Sequence, residues 1–307
     1  MIVVAVAALF AASLATCLGS GVIARRLPPR HAVPLLTALA LTVAACTGIG
    51  LSAMAILAVA QLGPVPQIGH WSAPVLRAQA GFPVGVGVAA CVIVAACLVG
   101  TVVRVWVSAR VLLRAAGVAR ALRPVSGNLV VVDDDAPTAY AVAGWRGRVV
   151  VSKSMLTALP ADERQVVLAH EAAHLRYGHH LYLHLAALSA AANPLLRRTA
   201  AAIALGVERW ADEAAAAEVR DRTTTARGLA RAALAQAHPP LAFGQLAIAE
   251  RAVIERVRAL QRPAPRPRRV ASALVIFLTV VCWVAAAAAT WRTHELIQLA
   301  EYVLPRR

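Results

Sequence analysis

The stretch VVLAHEAAHLRYGHHLYLHL, Val166–Leu185, sets a glutamate between two histidines in a chain that is otherwise largely apolar. Val166, His170, His174 and Tyr177 recur at helical spacing, so His170 and His174 share one face. The helix is predicted to begin at Pro160, whose fixed φ suits a first helical position. Asp162 and Glu163 then fall in the first turn, at the positive end of the helix dipole, and Gly178 closes the helix. Imidazoles one turn apart can reach a single ion, and Glu171 projects from the adjacent edge, placed to act on a water without ligating the metal.

Two histidines alone do not make a site. Glu208-Arg209-Trp210-Ala211-Asp212 again sets two carboxylates one helical turn apart, after a connection long enough to bring a second helix back across the first. Glu208 can complete two histidines and one carboxylate on Zn2+, leaving a fourth position for water. Asp212 can accept a hydrogen bond from the far nitrogen of a ligating histidine and fix its orientation. His179, His180 and His184 are read as structural or substrate-facing, with His179, a turn beyond His174, the candidate for holding substrate.

Outward from this stretch the chain is membrane-like. It has 307 residues, 60% of them hydrophobic and 15% charged, and a mean hydropathy of +0.67, which excludes an ordinary soluble domain. Four runs are long enough to cross a bilayer core: 1–23, 32–59, 82–107 and 270–290. All five cysteines lie inside them and read as small packing residues, so neither disulfides nor thiolate ligands are expected. The first run lacks basic residues before its apolar core and reads as an uncleaved span.

The net charge of +16 follows the spans and not a nucleic-acid face. Arginines cluster after the first span (Arg25, Arg26, Arg30), after the third (Arg104, Arg110, Arg114, Arg120, Arg123) and before the fourth (Arg262, Arg266, Arg268, Arg269). Those segments are expected on the cytoplasmic side, with both termini outside. Residues 108–269 then form one cytoplasmic domain that holds every acidic residue except Glu295 and Glu301. The basic rim suits anionic lipid, and no direct nucleic-acid partner is expected. Leu181 to Gly206 is apolar enough to mimic a fifth span. Asn193-Pro194 and Arg197-Arg198 interrupt it, so a buried or membrane-lying helix is expected; a true span would carry Glu208 across the membrane from His170.

Residues 129–132 and 139–151 contain short β-type runs with a turn at Gly144-Trp145-Arg146-Gly147, which predicts a small antiparallel sheet. An edge strand through Ala139, Tyr140 and Ala141 can pair with an extended peptide.

These motifs resemble the gluzincin-type zinc metallopeptidases of the BlaR and MecR type, integral-membrane transducers that act with penicillinase-repressor-like regulators. They are also similar to the neighbouring HtpX and CAAX prenyl protease group. The resemblance runs over most of the chain: three spans, a domain with His170-Glu171-x-x-His174 and Glu208-x-x-x-Asp212, and a fourth span. Ala139-Tyr140-Ala141 followed by Val149-Val150-Val151-Ser152 is similar to the strand pair before the zinc helix. It implies His170, His174 and Glu208 as zinc ligands, Glu171 as general base and Asp212 as a supporting residue. The spacing before the fourth span favours the BlaR and MecR branch, although residues 291–307, read as a short extracytoplasmic tail, offer no room for that branch's penicillin-binding sensor domain. The fold expected is a mainly α membrane protein, four spans with a cytoplasmic α+β zincin-type domain. Its expected function is endopeptidase cleavage of a protein or peptide substrate such as a transcriptional repressor. Two alternatives are an HtpX-like quality-control protease and an inactive membrane receptor or scaffold.

Overall fold

The computed structural model describes residues 1–144, 147–236, 243–263 and 269–302. Trp145 and Arg146 of the expected turn, and Arg266 and Arg268 of the basic cluster, lie outside them. Helices α1 (Ile2–Arg26), α2 (Pro29–Val59), α5 (Val84–Ala121) and α12 (Arg269–Tyr302) supply four segments long and apolar enough to cross a membrane. Two short helices, α3 (Val65–Gly69) and α4 (Ala73–Gln79), close the end where α2 gives way to α5. The Ser72 backbone N–H donates to Ala300 O of α12 at 3.0 Å there. The fourth helix does not stop near residue 290 as read from sequence. Thr293, Leu296 and Ala300 are buried, so packing continues the helix through the stretch expected to be a tail.

Bundle helices without a hydrophobic force between them approach through small residues. Gly87 shows the need: a Cβ there would sit 2.4 Å from Ala58 Cβ and 3.1 Å from Met54 O. Helix α5, at 38 residues roughly 57 Å long, outruns a hydrocarbon core of about 30 Å. It runs without a break through residue 107, and its projecting end packs Ala115 and Ala119 against Val130, Val142 and Val150 of the sheet.

The sheet has three strands, β1 (Leu129–Val132), β2 (Ala139–Val142) and β3 (Arg148–Ser152), in the order β1-β3-β2. It is mixed and not antiparallel as expected: β3 pairs antiparallel with β2 but parallel with β1. The central position falls to β3, whose Val149, Val150 and Val151 are all buried, while β2 lies at the edge with Tyr140 exposed. Ser152 ends β3 and caps α6 (Lys153–Ala158) by accepting from Met155 N at 3.1 Å. On the face away from α5, Val151 and Met155 pack with Val167 of α7 (Ala161–Arg176) and Ala232 of α10 (Arg222–Gln236).

The connection expected to be buried or to lie on the membrane is buried, entering the bundle as a helical hairpin. Helix α8 (His179–Ala192) descends between α2 and α5, a 3₁₀ turn reverses the chain at Pro194–Leu196, and α9 (Arg197–Val219) returns beside α1 and α2. Ala186, Leu196, Ile203 and Val207 thereby join the same apolar core as α1, α2 and α12. Polar groups at the tip are paired: Asn193 Nδ2 donates to Ser13 Oγ at 3.0 Å, Ser13 and Thr47 hydroxyls lie 3.2 Å apart, and Asn193 Oδ1 accepts from Leu195 N at 3.2 Å. Such irregular backbone survives at membrane depth only when protein satisfies it. The hairpin meets α1 at Ser13, at Thr16 through Thr199, and at Ala24 through Arg209. Eleven positions of α1 separate the first contact from the last, so the hairpin penetrates about 16 Å.

Candidate metal centre

Helix α7 brings His170, Glu171 and His174 to the mouth of the hairpin. Pro160 stands just before its first residue, one position earlier than expected, with Asp162 and Glu163 in the first turn. Glu163 is buried, and Arg227 and Arg231 of α10 close on it at 3.0 and 2.8 Å, tying the two helices together. Gly178, at φ 62, makes the break from α7 to α8 in a left-handed conformation that glycine adopts freely.

Helix α9 returns Glu208 and Asp212 to the same place. His170 Nε2 lies 3.2 Å from His174 Nε2 and 3.5 Å from Glu208 Oε2, and His174 Nε2 lies 3.7 Å from Glu208 Oε1. Donors held tetrahedrally at about 2.0–2.1 Å from one ion stand about 3.3–3.4 Å apart. The two imidazole nitrogens stand near that spacing and each faces one oxygen of the Glu208 carboxylate, and these three residues form a group able to hold a metal such as Zn2+. Asp212 Oδ1 lies 3.1 Å from His170 Nδ1, the ring nitrogen turned away from the cluster.

Sequence reading did not find Arg256, on α11 (Phe243–Leu260). Its guanidinium donates to both oxygens of Asp212, at 2.8 and 2.7 Å, and its Nη1 lies 3.1 Å from Glu208 Oε2. One cation thus fixes both carboxylates of the Glu-x-x-x-Asp pair and leaves Glu208 Oε1 facing His174. No local pattern marks this arginine, since it follows Asp212 by 44 positions.

His179 is fully buried, between Tyr177 and Trp210, with Nδ1 3.2 Å from Nδ1 of His174. The expectation that it holds substrate is corrected: it backs a histidine of the cluster, and its neighbour His180 lines the cleft. His184 turns to Ser108 of α5, 3.1 Å away.

Electrostatics divide the two glutamates. Burial pushes Glu171 up to about 7, against the lowering effect of His170. Burial would also raise Glu208, but the hydrogen bond from His170 and the charge of Arg256 outweigh it and hold that carboxyl at about 2. Burial lowers His174 to about 4. For His170, burial is overcome by Asp212 and Glu208, which raise it to about 9. Glu208 is therefore anionic at neutral pH and paired with a protonated His170, which must give up its proton to ligate an ion, while Glu171 sits where it can exchange a proton.

A cleft of about 260 Å³ opens over the cluster, lined by His170, Glu171, His174 and Glu208 with Tyr140, Ala141 and Ala143 at the β2 edge. Of the strand residues expected to hold substrate, Tyr140 and Ala141 line it, while Ala139 packs into the core beneath the sheet.

Residues 105–206 match the model of Peptidase family M48. The match indicates a protease domain and supports a metallopeptidase, and not the BlaR and MecR branch favoured by the spacing before the fourth span. It begins in the projecting end of α5 and takes in the sheet, α7, the hairpin and the start of α9. Glu208, Asp212 and Arg256 come after it. No curated protein and no solved structure matches the chain.

Proposed function

We propose that the protein is a membrane-embedded zinc-dependent endopeptidase whose active site faces the cytoplasm. The observation that carries this is the His170–His174–Glu208 group, close enough to share one ion, with Glu171 beside it in the cleft. Bound zinc supplies a Lewis acid for the scissile carbonyl and acidifies a water. Glu171, on the cleft side of α7, takes the proton of the attacking water and returns it to the leaving amine. Asp212 and His179 hold the two imidazoles from behind, and Arg256 fixes Asp212 and Glu208 together. Substrate lies extended against β2, whose outer edge has no strand partner among the described residues.

Two substrate classes remain from the sequence. The M48 match supports a metallopeptidase and does not choose between them. Placement at the mouth of a hairpin sunk in the bundle favours a membrane protein entering by its cytoplasmic face, the quality-control reading. Cleavage of a helical membrane protein and of a penicillinase-repressor-like protein, each offered to the full chain in lipid vesicles, separates them. Preferential cleavage of the membrane protein, absent in Glu171→Gln, supports this reading, and preferential cleavage of the repressor reverses it.

A further inference from the structure

Arg209, the residue after Glu208, turns away from the histidine cluster and lines a second cavity, of about 500 Å³. Arg25 of α1, Arg258 of α11 and Arg262 just beyond it also line the cavity, which makes four arginines, with Glu255 the one acidic residue in the lining. Neighbouring carboxylates are already engaged: Glu213 accepts two bonds from Arg222, and Glu208 and Asp212 are held by Arg256. None of the four lining arginines has a carboxylate within ion-pair distance among the described residues, so the cavity keeps an excess of positive charge.

Its level in the molecule is fixed by its walls. Arg25 is in the last turn of α1, Arg209 Nη1 donates to Ala24 O at 2.6 Å, and Pro263 precedes the start of α12 at Arg269. Helix α1, long and apolar enough to cross a membrane, ends here, and a spanning α1 would put the cavity at the level of lipid headgroups. Arginine's planar fork matches phosphate oxygens two at a time, which a scatter of surface lysines does not.

We propose that this cavity binds the phosphate of an anionic phospholipid headgroup. Bound there, the headgroup clamps Arg258 and Arg262, and so holds the helix whose Arg256 reaches the metal centre from its other side. The proposal rests on the four helices crossing a membrane and not on the peptidase reading; loss of proteolysis leaves it standing.

Purified full chain in neutral detergent, offered phosphatidylglycerol or phosphatidylcholine, is weighed intact by native mass spectrometry to count retained lipid. Wild type is expected to retain phosphatidylglycerol selectively. At roughly a fivefold factor per arginine, Arg258→Gln/Arg262→Gln weakens retention about 25-fold, whereas Arg114→Gln/Arg120→Gln, on the exposed rim of α5, leaves it unchanged. Arg258→Lys/Arg262→Lys, which keeps the charge but not the fork, falls between and guards against misfolding of the glutamine pair. Equal retention by wild type and all three variants overturns the proposal. Thermal stabilisation of wild type by inorganic phosphate alone, without selective lipid retention, shows the phosphate to come from solution and overturns the lipid source.

Discussion

Two glutamates 37 positions apart in one site are held in different protonation regimes by different neighbours. Glu208 meets a histidine and an arginine and stays charged, while burial without a cation in contact raises Glu171 to about 7. Their replacements should therefore differ. Glu171→Gln is expected to retain zinc and to lose proteolysis by about 10²–10⁴-fold, the usual weight of a general base. Glu208→Gln is expected to lose the zinc itself, and metal analysis of the two purified variants distinguishes the roles; equal zinc in both contradicts them. Arg256 makes a third case. Asp212 is 1% exposed, and stranding a buried carboxylate costs about 3–5 kcal/mol, so Arg256→Ala should lower the thermal midpoint sharply. Arg256→Lys, unable to grip both oxygens, should recover only part of it. A melting curve unchanged in Arg256→Ala would show the ion pair to be idle.

Elements carry what single residues cannot. The site exists because α8 and α9 form a hairpin and not a span: a fifth crossing would carry Glu208 away from His170. Asn193 holds the reversal, capping Leu195 and pairing with Ser13. Asn193→Leu leaves those groups unpaired in the bundle and is expected to destabilise the fold by about 1–3 kcal/mol per orphaned group. Zinc affinity should fall with it, because Glu208 rides on α9; wild-type stability and zinc binding in this variant would refute the hairpin's part in building the site. Sequence reading reached the helix with His170 and His174 and the pair Glu208 and Asp212, since one-turn spacing is a local signal. It read Leu181–Gly206 as interrupted, but its depth depends on Ser13, Thr47 and Val33, contributed by distant helices. The parallel β1–β3 pairing and Arg256 were hidden for the same reason: both are contacts across long stretches of chain, with no period to mark them.

In the whole molecule the histidine–glutamate cluster lies where a helical bundle meets a small α+β layer, with basic residues gathered at that end. The proposed orientation, with the arginine-rich segments on the cytoplasmic side, is open to test. A reporter enzyme active only outside the membrane, inserted at Gly63 between α2 and α3, is expected to be active, and at Gly127 before β1 inactive; the reverse pattern would invert the topology. The most direct test of the central claim is casein cleavage by the purified full chain, wild type beside Glu171→Gln, with zinc measured on the same samples. One zinc per chain is expected in both, with cleavage in wild type alone. Cleavage undiminished in Glu171→Gln, or wild type that cleaves without bound metal, would contradict that claim.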